Sequence, residues 1–367
     1  MNLTPSAGTG GADAPRCLLI APLSFYSFHA TLAEGLRQRG YEVDSLNEEY
    51  PANTLGKVMG KLSLPLLRRT TLRGLKQRLD PRPPYDLVLI IKGRGLGPAA
   101  LAYLRTRARR IVGYNFDSFR FNPSPGDWWQ LTDRYATFDI ADAAERGLPL
   151  VHLFSAAPAR SAQEPVYPLS IIMRVHSDRL ALADLMLQAT ARPELAGQGK
   201  PFVFLYEGSR LTMALGQLRQ PRLYRQLRPH ISLTPLPYAR AMEEMGRSRV
   251  TFDYAHPLQS GITVRCFEAQ SLGVAILTNN RLAVDSGMFE PGLIAHLPEG
   301  ATPEEVAALI GGLWQSRPLP RVRTLGMFLD ELLDAGETGA EFRPDPDQSD
   351  HPPDHRIAHR PHHGEPP

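Results

Sequence analysis

Residues 250–280, VTFDYAHPLQSGITVRCFEAQSLGVAILTNN, constrain this chain more than any other stretch. The β-branched and aromatic run 250–254 reads as a buried strand. A polar loop follows, carrying His256, Pro257, Gln259, Ser260 and Gly261. Ile262, Cys266, Ala269 and Leu272 then recur at helical spacing, and Gly273 is a natural helix stop before a second strand at 274–278. Strand, Gly-containing loop, helix, strand is one α/β unit. Its helix start offers unpaired N–H groups and the positive end of a dipole to an anion, typically a phosphate. Glu268 lies five residues beyond Thr263 on the same helix. A carboxylate can accept two hydrogen bonds from a vicinal diol such as ribose presents. Anion and diol on one ligand describe a nucleotide-sugar pocket. The plain alternative is an ordinary βαβ unit with Glu268 as a solvated helix charge.

The block QSGITVRCFEAQSLGVAILTNN resembles the C-terminal domain of bacterial GT-B glycosyltransferases of the capsule and lipopolysaccharide type, related to the CgeB-like group. There a D-x-x-H-P-x-Q-[ST]-G-[LI]-T-x-R-x-x-E pattern precedes a small-residue turn and a strand ending in Thr-Asn. Asp253, His256, Pro257, Gln259, Ser260, Gly261, Ile262, Thr263, Arg265, Glu268 and Asn279 match it. Residues 176–179 (HSDR), 114–118 and the segment RGYEVDSLNE extend the resemblance, unevenly, over about 16–315. It implies α/β architecture of the GT-B kind, two Rossmann-like domains facing across a cleft. It also implies transfer of a sugar from a nucleotide-diphosphate donor to a glycan or lipid-linked acceptor, in cell-surface polysaccharide biosynthesis.

On this reading Glu268 holds the donor ribose, and Ser260, Gly261 and Thr263 lie near the diphosphate. His256 and Arg265 neutralise charge on the leaving diphosphate, and Gln259 completes the donor loop. In resembling families the first strand of the donor domain often ends in Gly-Thr. Here Met173 and Arg174 stand instead, so that Arg174 either contacts the diphosphate or obstructs it. Asp117 or His29 serves as general base if configuration inverts. No metal or cofactor is expected, the cationic side chains and the helix end taking a metal's place.

The rest of the chain fits two α/β domains. Residues 16–22 read as a doubly buried strand, followed by a helix over 29–39, Gly40 and a second strand, the opening of a Rossmann-like domain. No G-x-G-x-x-G follows the first strand, which disfavours a nicotinamide-dependent oxidoreductase. His29 at the helix start is either a base facing the cleft or a capping histidine. The strand 86–92, DLVLIIK, runs into GRGLGP and puts Lys92 and Arg94 at the carboxyl edge of the sheet. Asp117 falls at the same edge, after a strand over 111–116, where it either acts on the acceptor or caps the next turn. Strands are also expected at 135–139 and 150–154. The expected organisation is a disordered leader 1–15, an acceptor domain 16–154, a linker 155–168 and a donor domain 169–315. A C-terminal helix over 316–335 and a disordered Pro/His-rich tail 336–367 complete it.

Composition excludes some classes. With 41 Lys and Arg against 38 Asp and Glu the formal net charge is only +3, so wholesale nucleic-acid binding is not expected. The two cysteines, Cys17 and Cys266, fall in different domains, and no apolar run is long enough to cross a bilayer. A cytoplasmic protein is expected, either free or at the inner face of the membrane. The Leu-rich basic segment 57–76 reads either as a solvated helix face or as a peripheral contact with anionic lipid or acceptor. The rival to an enzyme is a catalytically inactive glycosyltransferase-like protein that binds a nucleotide or glycan.

Overall fold

The computed structural model describes residues 14–23, 28–53, 62–157, 164–195, 197–316 and 319–333. The tail 336–367, most of the leader, Lys57 and Lys61 lie outside them. Two parallel sheets form two lobes, and the chain has the GT-B architecture.

The first sheet has the order β2-β1-β3-β4-β5, with β1 Arg16–Ala21, β2 Glu42–Asn47, β3 Tyr85–Ile91, β4 Ala108–Asn115 and β5 Arg134–Thr137. Strands β1 and β3 are almost wholly buried, which is why they read as unbroken apolar runs rather than alternating ones. Helices α1 Phe28–Arg37, α2 Leu64–Leu79, α3 Pro98–Arg105 and α4 Ile140–Arg146 cover the sheet. Residues 150–154 do not form the expected strand. A single bridge joins Thr137 to Leu150, and Val151, Leu153 and Phe154 beyond it are buried in the apolar cluster that both lobes share. On α2, Arg68 turns inward to Asp127 (2.7 Å) and to the Leu96 and Ser124 carbonyls, while Arg69, Arg73 and Lys76 face outward.

The second sheet has the order β11-β10-β9-β6-β7-β8: β6 Tyr167–Arg174, β7 Phe202–Tyr206, β8 Ile231–Ser232, β9 Ser248–Asp253, β10 Ala275–Thr278 and β11 Ile294–His296. Its helices are α5 Arg179–Thr190, α6 Arg210–Arg219, α7 Pro221–Leu227, α8 Tyr238–Gly246, α9 Val264–Leu272, α10 Arg281–Asp285 and α11 Pro303–Leu313. Thr302 and Glu305 form a reciprocal capping box at the start of α11. The last helix, α12 Leu325–Leu333, returns to the first lobe. There Phe328 meets the Tyr114 ring at 5.0 Å, and Arg39, Arg110 and Arg134 donate to its carbonyls. Gly35 on α1 makes room for it, since a side chain there would meet Leu325 and Leu329.

One apolar cluster runs from Leu19, Leu32 and Tyr114 through Phe138 and Phe154 to Ile262, Cys266 and Phe267. The lobes therefore share a core, and the loop at 258–263 lies where they join.

Candidate functional site

Open parallel sheets bind ligands outside the carboxyl ends of their strands, where strand order reverses. In the second lobe the chain leaves β6 toward β7 and β8, then returns to build β9 to β11 on its other side. The reversal thus falls between β6 and β9. The loops 175–178 and 254–263 flank it.

Ser177 adopts a left-handed backbone (φ 53°), turning the chain sharply into α5. The Tyr254 hydroxyl donates to Asp178 Oδ1 at 2.6 Å. The Arg179 guanidinium lies over the Tyr254 ring at 4.3 Å and donates to the Arg174 carbonyl. His256 Nδ1 accepts the Leu258 N–H at 3.2 Å, which leaves Nε2 to carry the proton of a neutral ring. The His176 and His256 rings stand 6.5 Å apart. Burial, then the neighbouring Arg179, His256 and Arg174, pull the His176 pKa down to about 4. His176 is thus a neutral hydrogen-bonding group at neutral pH. Arg174 and Arg179, with the hydrogen-bonding rings of His176 and His256, form a rim whose nearest carboxylate, Asp178, is already engaged by Tyr254, with Asp253 also acting on Arg179. Such a rim suits a diphosphate.

Glu268, on α9 of the same lobe, is only 4% exposed, which removes the solvated-charge reading. The Arg265 guanidinium sits 3.3 Å away, and the Tyr238 hydroxyl lies near enough to interact with the carboxylate. Burial raises the Glu268 pKa, while Arg265 and Tyr238 hold it down. Tyr238 opens α8 and is 46% exposed, so its ring is the side of this pocket that meets solvent. Nothing in sequence patterning marks Tyr238; its role rests on a contact between two helices.

The 259–263 loop is engaged within the protein. The Ser260 N–H and hydroxyl donate to the two oxygens of Asp139 in the first lobe, each at 2.6 Å. Gly261 permits close approach of the first lobe. A side chain there would meet the Phe138 ring and stand 2.7 Å from the Phe138 carbonyl oxygen. The Thr263 hydroxyl is given to buried Asp253 at 2.5 Å, whose other oxygen takes Thr278 at 2.8 Å. Gln259 reaches across to Asp117 Oδ1 at 3.0 Å, and the Ser118 hydroxyl donates to the Leu258 carbonyl. Asn280 holds the Ser260 and Gly261 carbonyls from below, and Asn279 pins Ala255 through both its N–H and its carbonyl. This half of the block fixes the lobes to one another.

The first lobe reverses its strand order between β1 and β3. Lys92 follows β3 with φ 67°, and Gly93 follows with φ 65°. A non-glycine residue held there marks a backbone its surroundings force. The bend delivers the Lys92 ammonium to Asp117 Oδ2 at 2.7 Å. Asp117 therefore has Lys92 on one oxygen and Gln259 on the other. Glu48, beyond the end of β2, is buried beside them and accepts the Arg94 N–H at 2.9 Å. Burial raises its pKa to about 7, with Lys92 opposing. His29 lies in the first turn of α1, half-buried, and Phe28 beside it meets the Phe116 ring at 5.7 Å. Among the described residues no group of three or more His, Cys, Asp or Glu side chains is placed to hold a metal ion. No described helix is long and apolar enough to cross a membrane.

No protein-family model and no curated protein matches this chain. Solved structures do. UDP-GlcNAc 2-epimerase from Neisseria meningitidis bound to UDP-GlcNAc is similar over 87% of this chain and 99% of its own, at a TM-score of 0.52 and 12% identity. The N-terminal domain of trehalose-6-phosphate phosphatase from Candida albicans is similar over 85% and 94%, at 0.52 and 9%. AviGT4, a glycosyltransferase involved in avilamycin A biosynthesis, covers 87% and 93%, at 0.49 and 14%. At such identities the likeness is one of fold.

Proposed function

We propose that the cleft binds a nucleotide-diphosphate sugar and transfers the sugar to a glycan or lipid-linked acceptor. The observation that carries this reading is the convergence of His176, Arg179 and His256 beside the strand reversal between β6 and β9, with the Arg174 guanidinium next to them toward Gly208 and the buried Glu268 on α9 of the same lobe. That pairing of a cationic rim with a buried carboxylate fits a diphosphate and a ribose on one ligand. Arg174, where resembling proteins keep small residues, belongs to the rim and counts as a diphosphate contact. The ligand in the epimerase of the same fold is itself a nucleotide sugar.

In the reaction, the bond from the sugar's anomeric carbon to the diphosphate oxygen breaks and a bond to an acceptor oxygen forms. Negative charge grows on the leaving diphosphate. Arg174, Arg179 and the N–H groups of the two histidines stabilise it, and one well-placed donor of this kind is worth about 3 kcal/mol at the transition state. Arg265 acts at one remove, holding Glu268 in place. Asp117 or His29 takes the acceptor proton if configuration inverts. Asp117 is the better positioned, since Lys92 and Gln259 orient both its oxygens.

That same engagement favours a second reading, a nucleotide binder without turnover. A panel of nucleotide sugars separates the two. Release of nucleoside diphosphate that depends on Asp117 supports the transferase, whereas binding without release supports the silent binder.

A further inference from the structure

The outer face of α6 belongs neither to a core nor to the cleft. None of its ten residues is buried. Leu211, Leu215 and Leu218 stand 70%, 45% and 81% exposed. At about 100° per residue these three fall within about 60° of one another, and Arg210 and Arg219 flank them on opposite sides. The inner face is set by Gly216, whose missing side chain admits the Tyr224 hydroxyl, and by Met213, which packs on the lobe's core. A capping box between Ser209 and Thr212 fixes the helix start. Between Glu207 and Glu243 the chain has no acidic residue, yet it carries Arg210, Arg219, Arg222, Arg225, Arg228 and Arg240. A shallow cleft between α6 and α7 is lined by Gln217, Tyr224, Arg225 and Arg228.

We propose that α6 is an interfacial helix that docks the second lobe on an anionic lipid surface. The leucines enter the boundary between headgroups and acyl chains, and the flanking arginines stay with the phosphates. The Arg225–Arg228 cleft takes a headgroup phosphate. The complementarity of this arginine-rich segment with an anionic leaflet favours lipid over a protein partner. Protein interfaces rest instead on Trp, Tyr and Arg anchors in desolvated pockets, with leucine under-represented. Here the apolar anchors are three leucines on a protruding helix. This inference does not depend on the nucleotide site, which lies at the β6/β9 reversal.

The test is co-sedimentation of the full chain with two vesicle types. One is phosphatidylcholine alone; the other carries about one-third phosphatidylglycerol. The protein is expected to bind only the anionic vesicles, and less as salt rises. Combining Leu211→Ser, Leu215→Ser and Leu218→Ser is expected to lower the partition at least about ten-fold with unchanged melting temperature. Arg219→Glu with Arg222→Glu, which leaves the leucines in place, is expected to remove the preference for anionic vesicles. Failure of the wild type to bind anionic vesicles, or binding by both variants equal to that of the wild type, would overturn the proposal. So would a concentration-dependent dimer that the leucine variant dissociates, if vesicles bind neither protein, because the face would then belong to a second copy.

Discussion

Ser260 is bonded twice to Asp139, N–H to one carboxylate oxygen and hydroxyl to the other, across the junction of the two lobes. Asp139 also accepts the Asp142 N–H as N-cap of α4, and the Ser260 hydroxyl oxygen accepts the Ala141 N–H at 2.8 Å. One buried carboxylate thus caps a helix in one lobe and holds a loop of the other. Asp139→Ala is expected to destabilise by about 3 kcal/mol, because it removes a cap and strands two partly buried donors. Ser260→Ala should cost about 1 kcal/mol. Denaturant unfolding of both variants checks the ranking, and equal, small effects would contradict it.

Gly261→Val is expected to lower the melting temperature, not merely nucleotide affinity. The new side chain has no room beside Phe138 unless the lobes separate, and such overpacking costs about 1–3 kcal/mol. Gly261→Val combined with Phe138→Ala should recover part of the loss. A variant with native melting and weakened nucleotide binding would return Gly261 to the ligand site.

Tyr238→Phe removes the hydroxyl that lies beside Glu268 but keeps the exposed ring. It is expected to weaken nucleotide binding about five- to ten-fold, the worth of one ordinary hydrogen bond. Glu268→Ala should weaken it further and leave the Arg265 guanidinium without its carboxylate. Calorimetry on folded variants decides, and unchanged affinity in both would remove this pocket from the site.

How stability depends on pH tests the buried cluster of the first lobe. Glu48 is raised from its ordinary value to about 7, so the folded protein binds more protons there than the unfolded chain does. Its contribution to stability is present below about 4.5 and is lost as pH rises through about 7. Glu48→Gln keeps an acceptor for the Arg94 N–H but cannot titrate. The stability of the variant relative to the wild type should therefore climb across that window. His152, lowered to about 4 by burial, works in the opposite sense, its contribution being lost as pH falls from about 6.5 through about 4. It is common to both proteins and cancels in the comparison. A difference that stays constant with pH would show that Glu48 titrates normally.

The strands that read most clearly, β1, β3, β9 and β10, are buried on both faces, so burial alone makes their apolar runs continuous. The strand expected at 150–154 has the same apolar character, but those residues serve the shared core instead. Helix α6 buries nothing, and its start is capped by a Ser–Thr pair rather than the usual Ser–Glu form, so no core-facing stripe or usual cap marks it in the sequence. The block around Gly261 marks a loop, half of whose polar groups are bonded within the protein. Ser260 and Asp139 are 121 residues apart, and Gln259 and Asp117 are 142 apart. No local pattern announces that a polar loop will satisfy itself on another lobe. His176 and Arg179 stood in the sequence as part of a resemblance, and only the fold brings them to His256.

The central claim is that the rim of Arg174, His176, Arg179 and His256 recognises a diphosphate. Calorimetric titration with matched nucleosides, nucleoside monophosphates and nucleoside diphosphates, on the wild type and on Arg179→Met, tests it directly. The diphosphate of the preferred base is expected to bind at least about ten-fold more tightly than its monophosphate, as one further charge-assisted contact would give. Arg179→Met should erase most of that advantage and leave nucleoside binding unchanged. Equal affinity for monophosphate and diphosphate in the wild type, or an advantage that survives in Arg179→Met, would contradict the account.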